Sequence, residues 1–142
     1  MISHNNLKKI AKARFKDANL LFQNNRYDSA AYLCGYSIEL ILKAIICKEL
    51  GLKGIPNTSQ EFEKVIETLK RIKTHNLETL LSLISPTIQQ ETKSSHFSEW
   101  SDIQNWDPEM RYVPLCGELL KPEAEKIIKA CKKLLKFFNN KI

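Results

Sequence analysis

Ser29, Tyr32, Tyr36, Glu39 and Lys43 are spaced by three, four, three and four residues, so on a helix they fall in one line along one face. Around them the chain is almost wholly apolar, with Ala30, Ala31, Leu33, Cys34, Ile38, Leu40, Ile41, Leu42, Ala44, Ile45 and Ile46. A helix apolar nearly all round is normally central in its bundle, so this stripe carries polar chemistry toward an interior. Glu39 and Lys43 form an i,i+4 pair in the favourable order, worth about 0.3 kcal/mol if exposed. Partly desolvated, each needs partners, because an unpaired buried charge is costly. The chain offers His75, Arg111, Tyr112, Trp100 and Trp106.

Two arrangements meet that need. One is a polar cleft lined by this helix, the segment at His75 and the Arg111-Tyr112 segment. There Lys43 and Arg111 would contact phosphate, while Tyr32, Tyr36 or Trp106 would stack on a base. The other is a structural ion-pair network that orients the bundle. Candidate ligand-binding residues are thus Tyr32, Tyr36, Glu39, Lys43, His75, Trp106, Arg111 and Tyr112. Gly35, beside the line, would permit another backbone to come close.

Other chemistries find no support. Cys34, Cys47, Cys116 and Cys131 form no C-x-x-C pair and have no histidine at zinc-finger spacing, so they read as small buried thiols. His4 and His96 have no surrounding ligand cluster, and neither a phosphate-cradling glycine loop nor a G-x-S-x-G elbow occurs. No catalytic residue, metal or cofactor is expected.

The elements that must position the stripe follow from periodicity. Leu7, Ile10, Ala11, Phe15, Ala18, Leu21 and Phe22 predict a first helix over about 6–23, with Lys8, Lys9, Lys12 and Lys16 outward. The stripe helix spans 28–50, capped by Asp28 or Ser29 and ended by Gly51. Phe62, Val65, Ile66 and Leu69 predict an amphipathic segment over 60–73. Asn76 or His75 itself caps a short helix carrying Leu77, Leu80, Leu81 and Ile84, stopped at Ser85-Pro86. Residues 87–98 are weakly patterned, a mobile loop or an ill-defined helix, and 99–106 fit a helical turn or two. Residues 107–117 hold two prolines and read as extended. The last helix starts near Pro122 and turns Ala124, Ile127, Ile128, Cys131, Leu134, Leu135 and Phe138 inward. The sum is an all-α bundle in one domain, residues 1–142.

The net charge of +6 is uneven: residues 1–26 and 121–142 each carry +5, and the stretch between them −4. If the two basic helices pack side by side they make one positive face, either a solvated lysine surface or a weak attraction for RNA. The N-terminus lacks the continuous apolar stretch of a signal peptide. The apolar stretch 38–47 is interrupted by Glu39 and Lys43 and too short to cross a bilayer, so a cytoplasmic protein with no membrane partner is expected.

Three segments carry a family resemblance. Arg26-Tyr27-Asp28-Ser29-Ala30-Ala31-Tyr32-Leu33-Cys34-Gly35-Tyr36-Ser37-Ile38-Glu39-Leu40-Ile41-Leu42-Lys43-Ala44 resembles the signature second helix of HEPN domains. Thr74-His75-Asn76-Leu77-Glu78-Thr79-Leu80-Leu81 resembles the family's T-H-x-L-x-x-L-L element, and Trp106-Asp107-Pro108-Glu109-Met110-Arg111-Tyr112 its W-x-x-x-x-R-Y element. The likeness runs from about residue 7 to residue 138. It implies an up-and-down helical bundle of about five helices, commonly a homodimer. It also implies a frequent genomic partner, a minimal nucleotidyltransferase, in toxin–antitoxin or nucleotide-binding pairs. Many such proteins are metal-independent ribonucleases whose motif is an arginine followed, after about four to six residues, by a histidine near the last helix. This chain departs from that: no histidine follows Arg111, and Arg71 and His75 are separated by three residues in another region. The expectation is a non-catalytic member that binds a nucleotide, RNA or a nucleotidyltransferase partner. The alternatives are a ribonuclease with a non-standard site at His75 and a purely structural partner domain.

Overall fold

A computed structural model describes residues 1–63, 70–112 and 119–142, with the side chains of Phe62, Glu63, Arg111 and Tyr112 left out. Ser3 opens the first helix, α1 (His4–Gln23), by accepting the Asn6 backbone N–H at 3.2 Å. Leu7, Ala11 and Ala18 are its fully buried positions. Ile10, expected among them, is 38 % exposed because it sits on the flank of this narrow stripe of small residues.

The stripe helix is α2 (Tyr27–Glu49). Asn25 in the left-handed region (φ 62°) turns the chain into it, and Arg26 occupies the N-cap without a side-chain hydrogen bond. The expected caps are therefore not used: Asp28 lies inside the first turn, 8 % exposed, and accepts the Leu119 backbone N–H at 3.1 Å, tying the helix start to the far end of the chain. The other end is as expected. Gly51 (φ 64°) lets its own N–H reach Lys48 O at 3.1 Å and that of Leu52 reach Cys47 O at 2.9 Å, a Schellman closure.

Over its whole length α2 is apolar enough to cross a bilayer, longer than the 38–47 stretch suggests, yet 72 % of that apolar window is buried in the fold. It is the bundle's central helix, covered by α1 and by the last helix, α7 (Lys121–Asn139). Ser37, wholly buried, donates its hydroxyl to Ala11 O at 2.7 Å and pins α1 to α2. Ser37→Ala leaves that carbonyl without its partner, and a loss of about 1 kcal/mol in urea-determined stability is expected. Cys34, Cys47 and Cys131 are buried free thiols, as expected; Cys116 lies outside the described residues. Burial pushes the Cys131 thiol well up, and the neighbouring Cys34 adds to this, so it stays protonated and inert.

Between the long helices run short ones: α3 (Ser59–Glu63), a 3-10 turn at Arg71–Lys73, α4 (Leu77–Ser82), α5 (Pro86–Ser94), α6 (Phe97–Ile103) and a 3-10 turn at Pro108–Tyr112. The chain is the expected all-α helical bundle. Its short helices outnumber the expectation because the weakly patterned 87–98 stretch is helical. Pro86 sits in the first turn of α5, and only Ile88 and Thr92 turn inward, too few to show a period. The expected extended run from Asp107 begins instead as the 3-10 turn, and 113–117 lies outside the described residues, as do Val65, Ile66 and Leu69. Among the described residues, α1 and α7 touch one another, so the two basic helices are neighbours.

Candidate functional site

The α2 stripe is continuous in space. The Tyr32 and Tyr36 rings meet edge-on at 5.1 Å, with the Tyr32 hydroxyl donating to that of Tyr36 at 3.4 Å. One turn on, Glu39 is only 3 % exposed, and Lys43 Nζ reaches its Oε1 at 2.6 Å. Lys43 is itself 12 % exposed, so the ion pair is largely desolvated.

Glu39 also takes the partner the sequence suggested. His75 Nδ1 stands 3.1 Å from both Oε1 and Oε2. Local chemistry puts it there. Asn76, not His75, is the N-cap of α4, accepting the Thr79 N–H at 2.8 Å, and Thr74 Oγ1 accepts the Asn76 N–H at 3.1 Å. With Leu77, Leu80 and Leu81 buried below, the residue before the cap turns its ring toward α2.

Trp106 closes the other side. Its ring packs edge-on against Tyr36 at 4.9 Å, and its Nε1–H donates to Tyr32 O at 3.1 Å. Gly35 makes room for it: a Cβ there would fall within the indole. The close approach anticipated at Gly35 is therefore an aromatic ring, not a backbone. Trp100 plays no part in the stripe. It is 3 % exposed, rests edge-on against Phe138 at 6.5 Å and donates to Glu78 Oε1 at 2.8 Å.

In front of His75 and Trp106 opens a groove of about 440 Å³, lined by Thr74, His75, Asn76, Glu78, Gln104, Asn105, Trp106, Asp107, Pro108 and Glu109. Of the expected residues, His75 and Trp106 line it, while Tyr32, Tyr36, Glu39 and Lys43 form the layer behind. Arg111 and Tyr112 lie on the 3-10 turn that borders it, their side chains outside the described residues. Sequence reasoning missed Glu78, Gln104, Asn105, Asp107 and Glu109. Three of these stand inside the quoted motifs, but Asp107 and Glu109 at a 3-10 turn, and Glu78 in the first turn of a six-residue helix, have no period to mark them. Asp107 Oδ1 accepts the Glu109 N–H at 2.9 Å, which shapes the rim. Lys93 neutralises Glu78 at 3.0 Å. A smaller pocket of about 190 Å³, more apolar, lies where Trp106 meets Ala31, Ile103, Met110 and Ile127.

No group of three or more potential metal ligands occurs among the described residues. The arrangement can hold and orient an imidazole, offer an aromatic surface and present carboxylates and amides to a ligand. Neither a curated protein nor a solved structure matches the chain. A family model described as HEPN domain does match, over residues 4–141, which take in all three motif segments. The chain belongs to the HEPN domain family.

Proposed function

We propose that this HEPN-domain protein is a non-catalytic, cytoplasmic binding module. Its Trp106 groove docks a basic segment of a protein partner, of the minimal nucleotidyltransferase kind, in a two-gene system of toxin–antitoxin type. The sign of the charge at the groove carries this reading. Among the described residues no cation pairs with Asp107 or Glu109, whereas Lys43, one of the two cations expected to meet phosphate, is taken up by Glu39; the side chain of the other, Arg111, lies outside the described residues. Two carboxylates at an open groove, with no cationic partner among the described residues, favour cationic groups over phosphate. That argues for a protein partner at this groove over a nucleotide or RNA. The test is isothermal titration of the purified nucleotidyltransferase from the neighbouring gene into the wild type and into an Asp107→Lys/Glu109→Lys variant. A complex weakened about tenfold or more by charge reversal is expected. Absence of a complex, or equal binding by the variant, removes the reading.

One observation favours a second reading, a ribonuclease with a non-standard site. A buried carboxylate orienting a half-exposed imidazole is an arrangement that general-base chemistry uses. It requires RNA cleavage that His75→Ala abolishes. With no cleavage by the wild type, this second reading falls.

A further inference from the structure

The groove contains a hydrogen-bond acceptor oriented from behind. Glu39, its side chain 4 % exposed, presents both carboxylate oxygens to His75 Nδ1 at 3.1 Å. An ionised carboxylate only accepts, so Nδ1 carries a proton, and in the neutral ring Nε2 holds a lone pair. The ring is half exposed and lines the groove, and no partner for Nε2 is found among the described residues. Trp106 supplies a second wall. Its position over Gly35 and its Nε1–H bond to Tyr32 O fix the indole, which leaves it a pre-set surface in the groove. The Asp107 and Glu109 carboxylates complete the rim.

We infer that the groove takes a guanidinium: an arginine side chain of the partner lies against Trp106, donating to His75 Nε2 and to the rim carboxylates. This rests on the protein-partner reading above and adds which group of the partner is read. Acceptors from two segments of the chain and an aromatic surface, all lining one groove, suit a planar cation with five N–H donors. A guanidinium stacks on aromatic rings and gives up its water more readily than an ammonium, which is a compact, strongly hydrated point charge. A phosphate has no N–H for the imidazole lone pair and meets two carboxylates, so the same walls disfavour it.

The test follows the His75 imidazole and Trp106 indole NMR signals of the full chain, at fixed ionic strength and pH 8. Ethylguanidinium, ethylammonium and inorganic phosphate are titrated in turn. Ethylguanidinium is expected to shift both signals saturably and about tenfold more tightly than ethylammonium, with no shift from phosphate. His75→Phe removes the acceptor but keeps a ring, and should abolish the preference. Asp107→Asn/Glu109→Gln touches only exposed groups and should weaken ethylguanidinium several-fold in a folded protein. Equal shifts from the two cations, a response to phosphate alone, or no response to ethylguanidinium overturns the inference. If the purified nucleotidyltransferase still binds in that last case, only the arginine anchor is lost. If it does not bind either, the partner reading falls with it.

Discussion

Glu39→Ala is expected to lower the stability of the domain by about 3 kcal/mol in urea denaturation, a large share of what holds a domain this size together. The reason is asymmetry. With Glu39 in place, Lys43 has a carboxylate at 2.6 Å and His75 a bidentate acceptor, so the charges that α2 carries inward are compensated. Without it, an ammonium 12 % exposed loses its counter-charge while still surrounded by protein. The lysine stem relieves part of this by reaching toward water, which places the cost near the low end for a broken buried pair. The control is Glu39→Leu/Lys43→Leu. Removing both charges together should restore most of the loss, because an apolar pair satisfies the same space. In both variants the His75 ring loses its anchor and its NMR signal should sharpen toward that of a free side chain. A single mutant as stable as wild type would mean the stripe is not a desolvated network.

Gly35→Ala should also have a large effect, and through a different route. Alanine is the better helix former, so on an exposed helix the change would stabilise by about 1 kcal/mol. Here the added methyl meets Cγ, Cδ1 and Cδ2 of Trp106, the rigid body of the indole, which has no flexible end to yield. The ring must leave, breaking its bond to Tyr32 O and its edge contact with Tyr36. A net loss of about 1–3 kcal/mol is expected, with the Trp106 emission moved to the red and the groove opened. Unchanged stability and an unmoved Trp106 indole signal would show that the wall is not built as described.

These two variants also mark what could be read from the amino acids. The α2 stripe was legible because burial on a helix imposes a period, and five polar positions at steps of three and four stand out against an apolar field. That Glu39 needed a partner followed from desolvation alone. That the partner is His75 was one choice among several, settled only by the Asn76 cap that aims the preceding residue at α2. Gly35 announced a close approach without saying that an indole makes it. Asp28 looked like a helix cap, but the turn through Asn25 starts the helix earlier and leaves its carboxylate for Leu119. The rim was the least legible part. Asp107 and Glu109 have no periodic neighbours and become a feature only when the chain entering the 3-10 turn brings them to line the same groove as His75.

The central proposal is that the Trp106 groove receives a basic segment of a partner protein. Its most direct test is the Trp106 indole N–H signal, followed while the proposed partner (a purified nucleotidyltransferase encoded beside this chain), ATP and a short single-stranded RNA are added separately to the wild type. The account predicts a saturable shift with the protein and none with ATP or RNA. A shift with RNA or ATP while the nucleotidyltransferase leaves the signal in place would contradict it.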